Sequence, residues 1–158
     1  MSALDGYLND HLAGAAAAIQ LAERCRAREP ETALGQVLHG LIGEIRQDRA
    51  TLERVVRALG GQPNLVKRTG ARGVELLANL RMWLPVVGTG RSEASRLEEI
   101  EVLSLGVEGK RMMWGALAAL SSSGLGGFDF AALQRRASDQ RDRLQPFHVQ
   151  RASQASEA

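Results

Sequence analysis

Aromatic residues make up only 4% of this chain, and Cys25 is its sole cysteine. One cysteine can close no internal disulfide, so nothing here asks for an oxidising compartment. Lysine is scarce too: Lys67 and Lys110 are the only two, and arginine supplies the rest of the positive charge. No apolar run approaches the ~20 residues that a membrane span needs. Asp5, Asp10 and His11 fall where a secretory leader would carry an unbroken apolar core. The expectation is a cytoplasmic protein with no membrane span. A glycine-rich dinucleotide fingerprint, a paired Cys-x-x-Cys and a serine nucleophile elbow are all missing. So is the interleaving of aromatic and basic residues that suits nucleic acid. A net charge of +2 does not argue for nucleic acid either. These absences weigh against several enzyme classes, and the reading leans away from catalysis.

What is present favours helices. Ala, Leu, Glu and Arg dominate, and 44% of the residues are apolar. Ala and Leu cost little in a helix, and few residues are β-branched. The 158 residues suffice for one domain with a single core. A first helix is expected from about Ala3 to Arg28, with a seam of Leu4, Leu8, His11, Ala15, Ala18, Ala22 and Cys25. Pro30 ends it or opens the next. A second helix should run from about Glu31 to Leu59, stopped by Gly60, Gly61 and Pro63. Its seam is Leu34, Leu38, Leu41, Ile45, Asp48, Leu52, Val55 and Leu59, in which Asp48 is the misfit. In both seams the steps alternate between four and three residues, the spacing of a packed helical stripe.

Residues 61–91 read as a long crossover carrying one short helix, VELLANLRMWL, ended by Pro85. A third long helix is expected from about Ser92 to Ser121, with Ser92 or Ser95 as N-cap. Its seam is Ile100, Leu103, Val107, Lys110, Trp114 and Leu117. The last helix should begin near Asp129 and end near Ala152, with a seam of Phe130, Leu133, Ala137, Gln140, Leu144 and Phe147. Residues 153–158 should fray. Two antiparallel hairpins joined by a long crossover make an all-α four-helix bundle.

On these elements the chain resembles the ferritin-like superfamily, and within it a group of small bacterial proteins. The stretches that carry the resemblance are YLNDHLAGAAAAIQLAERC, HGLIGEIRQDRATLERVVRALGG and LEEIEVLSLGVEGKRMMWGAL. The resemblance implies a ferritin-like bundle. Di-iron members take a Glu from each of two helices and a Glu-x-x-His from each of the other two. Here Glu44 is followed by Gln47 rather than His, and Asp139 by Asp142. The first helix offers Asp10 or His11 in place of Glu, while the third long helix offers Glu101 and Glu108. Neither Glu-x-x-His motif is present.

Several constellations follow. The hairpin turn near residue 30 puts His11 and Asp48 at nearly the same height, both expected to face inward. Either the pair satisfies itself and sets helix register, or it binds a metal or handles a proton. Glu108 falls near that height if the crossover spans the bundle, and Gln140 nearby would complete a polar layer. Otherwise Glu108 pairs with Arg111 or Lys110 and faces water. The leading expectation is a non-catalytic bundle without a cofactor, acting through its surface or by self-association. The alternative is a metal-binding or stress-related bundle with a degenerate centre at His11, Glu44, Asp48 and Glu108. It would hold a divalent metal such as iron, manganese or zinc. The basic loop of Lys67, Arg68 and Arg72 reads as solvated. The apolar stretch Met82–Val87 packs on the bundle or forms a homo-oligomer surface. Met112, Met113 and Trp114 read as core, and Cys25 as a small buried residue without a nucleophile's surroundings.

Overall fold

The computed structural model describes residues 2–63, 92–120 and 124–157. Among them are four helices and no strand: α1 (Ala3–Arg28), α2 (Ala33–Ala58), α3 (Glu93–Ala119) and α4 (Phe130–Glu157). The expected short helix, the basic loop and the apolar Met82–Val87 stretch lie outside the described residues. No described helix is long and apolar enough to cross a membrane.

The helix ends follow from local chemistry. The Ser2 hydroxyl accepts from the Asp5 N–H at 3.1 Å, and the Asp5 carboxylate accepts from the Ser2 N–H at 2.8 Å. This reciprocal box satisfies donors that the first turn leaves orphaned. Thr32 and Ser92 cap α2 and α3 in the same sense, accepting from Gly35 and Ser95. Asp129 accepts from the Ala132 N–H at 2.8 Å and opens α4. At the end of α2, Gly60 adopts φ 78°, where a side chain would be strained.

α4 continues through Glu157, past the expected end near Ala152. Pro146 sits inside it on an exposed face, so water can satisfy the carbonyl that proline leaves unpaired. Further on, buried Arg151 bonds to Glu29 at the end of α1 and to Glu93 at the start of α3, the latter at 3.1 Å. That ion-paired anchor holds the last turns where fraying was expected.

The hairpins α1–α2 and α3–α4 are the tightest pairings; α1 also packs beside α3, and α2 beside α4. Among the described residues the backbones of diagonal helices keep apart, and long side chains such as Lys110 span the gap. Cys25, late in α1, bonds to Glu99, early in α3. Trp114 and Leu117, late in α3, share a cluster with Leu8 and Leu12, early in α1. All neighbours are therefore antiparallel, and α2 and α3 run the same way on a diagonal. The chain leaves α2 at one end of the bundle and enters α3 at the other, about 39 Å away for 26 residues.

The core is in two parts. One cluster holds Ile19, Leu38, Ile45, Leu103 and Leu144; the other holds Leu12, Leu52, Val55, Trp114 and Phe130. Between them on α2, α3 and α4 lie Asp48, Lys110 and Gln140. The expected seams of α2, α3 and α4 all face this core. That of α1 is rotated: Leu12 and Ile19 are buried, while His11, Ala15 and Ala18 are only partly so. Leucine and isoleucine remove more apolar area from water than the alanines and histidine they displace.

Gly35 is held close to the turn before it. A Cβ there would meet the backbone oxygen of Glu29 and lie 2.8 Å from that of Pro30. Gly35→Ala should lower stability by about 1–3 kcal/mol. Gly43→Ala, where a Cβ meets nothing within 4 Å, should be neutral or stabilising by up to about 1 kcal/mol. Equal urea midpoints for the two variants would refute the close approach.

Candidate functional site

The seams of α2, α3 and α4 each contribute one polar side chain at mid-height, and the three meet. Asp48 on α2 is 2% exposed. A buried carboxylate costs several kcal/mol unless it is paired and hydrogen-bonded. Lys110 Nζ on α3 donates to Asp48 Oδ2 at 2.6 Å. Arg136 Nη2 on α4 donates to Asp48 Oδ1. The Gln140 amide donates to Asp48 Oδ2 at 3.3 Å and to Glu44 Oε2 at 2.9 Å, and its carbonyl accepts from Lys110. Arg143 Nη2 completes the set on Glu44 at 2.5 Å. Burial pushes the Lys110 pKa down, and Asp48 opposes that shift. Two carboxylates thus face three cations, with a neutral amide between them.

The expected partners of Asp48 are redistributed. No hydrogen bond joins it to His11 among the described residues. The His11 ring stands edge-on to Tyr7, with centroids 4.7 Å apart. The rotation of α1 takes His11 off the central axis, and Lys110 and Arg136 take up the carboxylate instead. Burial pushes the His11 pKa down against the pull of Asp10. Glu108 is also outside the layer. It accepts from Arg111 Nε at 3.0 and 2.9 Å and from Arg141 Nη1 at 3.0 Å, on the outer face of α3 and α4. The Arg111 hydrogen bond holds its carboxyl below the usual range. Of the four candidate ligands, the fold links Glu44 to Asp48 through Gln140 and sends His11 and Glu108 elsewhere. Among the described residues, no three His, Cys, Asp or Glu side chains stand close enough to share a metal ion.

Sequence reading missed Lys110, Arg136 and Arg143 as partners. For Lys110 the signal was available: it occupies a seam position in register with the Asp48 and Gln140 seams. The arginines reach in from flanking positions of α4 that no periodicity singles out. Cys25 is buried as expected. Its thiol donates to Glu99 at 3.4 Å, and burial pushes its pKa up to about 12, so it stays protonated. Met113 and Trp114 are core, while Met112 is 62% exposed.

Beside the polar layer, α1 and α3 stand apart and leave a half-open cleft of about 540 Å³. Its walls carry Gly14, Ala15 and Ala18 of α1 and Gly106 and Gly109 of α3, with Ile45, Asp48 and Leu52 of α2 behind. A Cβ added at Gly14, Gly106 or Gly109 meets nothing within 4 Å. Packing therefore does not demand those glycines, although each costs its helix about 1 kcal/mol relative to alanine. Gly6 and Gly43 share that freedom outside the cleft. What distinguishes the three is that they stand on the facing walls of one space. Among the described residues, two buried donors on lining residues, Trp114 Nε1 and Arg49 Nε, have no hydrogen-bond partner, although Arg49 Nε forms an ion pair with Glu53 at 3.7 Å. Comparison with protein-family models, with curated proteins and with solved structures finds no match to this chain.

Two outcomes follow. Asp48→Ala leaves Lys110 buried without its carboxylate and should cost about 3–5 kcal/mol. The double change D48L/K110M should recover most of that loss in urea unfolding. If the double variant is as unstable as the single one, the ion pair is not what holds this layer. For His11, the folded state favours the neutral ring, so the unfolded chain binds more protons below about pH 6.5. Stability should fall as the pH drops from there through the folded-state pKa. His11→Gln should flatten that part of the curve; an unchanged slope would assign it to other groups.

Proposed function

We propose that this chain is a non-catalytic, ferritin-like bundle that works by binding, with the cleft between α1 and α3 as its working surface. The carrying observation is the cleft itself: space of ligand size, with three glycines on its facing walls that no packing contact requires. Ligand sites are concave, mostly apolar and about 300–1,000 Å³, with a few placed polar groups. The ferritin-like kinship is supported by the two antiparallel hairpins and the parallel diagonal of α2 and α3. The non-catalytic reading is supported by the chemistry of the candidate groups. The Cys25 thiol is held protonated, and both carboxylates of the central layer are tied up by cations.

The alternative metal-binding reading has less support. A metal ion at Asp48 would have to displace Lys110 or Arg136 from its oxygens. It would also bring positive charge beside Lys110, Arg136 and Arg143.

The test is dye binding. The neutral dye Nile red should bind wild-type protein saturably, one per chain, with a blue-shifted emission. Gly106→Leu and Gly109→Leu should each abolish binding while leaving the circular dichroism spectrum and thermal midpoint at or above wild type. Unchanged dye binding in both variants would remove the cleft from consideration.

A further inference from the structure

The last turns of α4 hold to the bundle differently from the rest of the helix. Its first half buries Phe130, Ala137, Gln140 and Leu144. Phe147 then packs on the core only in part, and past it Arg151 is the one buried residue of α4 among the described residues. Pro146 offers no N–H to the carbonyl of Asp142. The helix therefore loses a rung just where its apolar anchoring ends.

Residues 148–157 do little to hold themselves in a helix. A helix this short is marginal in water. The hydroxyls of Ser153 and Ser156 turn back onto the carbonyls of Val149 and Ser153, at 3.5 and 2.7 Å, which competes with helical bonding. Glu157 adds negative charge at the helix end whose dipole is already negative.

What holds the segment is Arg151. Its guanidinium donates to both carboxylate oxygens of Glu29, at the end of α1. It also donates to Glu93 at the start of α3 and to Gln154 on its own helix, both at 3.1 Å. His148 adds a looser contact, 3.9 Å from Glu101. Release of Arg151 strands neither carboxylate. Arg96 Nη1 lies 3.5 Å from Glu29 and 3.1 Å from Glu93, so both keep a cation. Arg151 itself passes into water and recovers its solvation.

We infer that residues 148–157 are a releasable strap, hinged at Pro146 and latched by Arg151. Docked, it clamps the end of α1 to the start of α3; released, it leaves the rest of the bundle folded.

Hydrogen exchange of the full chain, read by mass spectrometry, tests this. In wild type the amides of 148–157 should exchange faster than those of 130–144. Low urea should barely change their rate, the mark of local release rather than global unfolding. Arg151→Met should speed exchange in 148–157 by about tenfold or more while leaving 130–144 within about twofold. The urea midpoint should hardly move. Glu29→Gln should act in the same direction more weakly, and it keeps the test valid if the Arg151 variant folds poorly. Pro146→Ala restores the missing rung and should slow exchange of the strap several-fold. An equal rise in 130–144 and 148–157 when the latch is cut would make these turns part of the cooperative fold and overturn the strap. Unchanged exchange in both latch variants would overturn Arg151 as the latch. Strap exchange no slower in Pro146→Ala would overturn the hinge.

Discussion

A carboxylate buried at the middle of the bundle constrains everything around it. Asp48 is almost wholly removed from water, and the fold is stable only if compensating charge reaches it from other helices. Lys110 on α3, and Arg136 and Gln140 on α4, do so. Apolar side chains can slide past one another with modest loss. A carboxylate with directed donors on two other helices tolerates little slip along any axis. The layer thus sets the relative height of α2, α3 and α4 and divides the core into two clusters.

Among the described residues α1 contributes no hydrogen bond to that layer, and this explains where the cleft opens. Leu8, Leu12, Ile19 and Ala22 bury its inner face in the two core clusters. On the side toward α3 it offers mostly glycine and alanine until Cys25 meets Glu99. With small residues on both walls and firm contacts above and below, α1 and α3 are held apart at mid-height rather than drawn together. The space borders on the Asp48–Lys110 ion pair, which makes it an apolar slot with a polar end.

Much of the fold was legible because helical packing writes a regular signal. The apolar steps in α2, α3 and α4 pick out the residues that form the core, and Ser92, Asp129 and Gly60 mark helix ends by local hydrogen bonding or backbone conformation. The site was less legible. Asp48 stood out as a misfit in an apolar seam, but its partners did not. Periodicity ranks His11 and Ala15 with Leu8 as seam residues on α1. It cannot see that turning the helix slightly buries Leu12 and Ile19 for a larger gain. Arg136 and Arg143 are long side chains on flanking positions, and a seam does not reveal how far they reach inward.

The sequence by itself determined that this is a helical chain with polar side chains at one height of three seams, because those facts depend on neighbours three and four residues apart. Only the tertiary structure decided which charges neutralise Asp48, that His11 stands aside from it, and that a cleft lies between α1 and α3. Those outcomes depend on the rotation of each helix about its axis and on residues more than sixty positions apart in the chain. Competition between burying larger apolar groups and pairing charges settles them, and that competition exists only when all four helices are assembled.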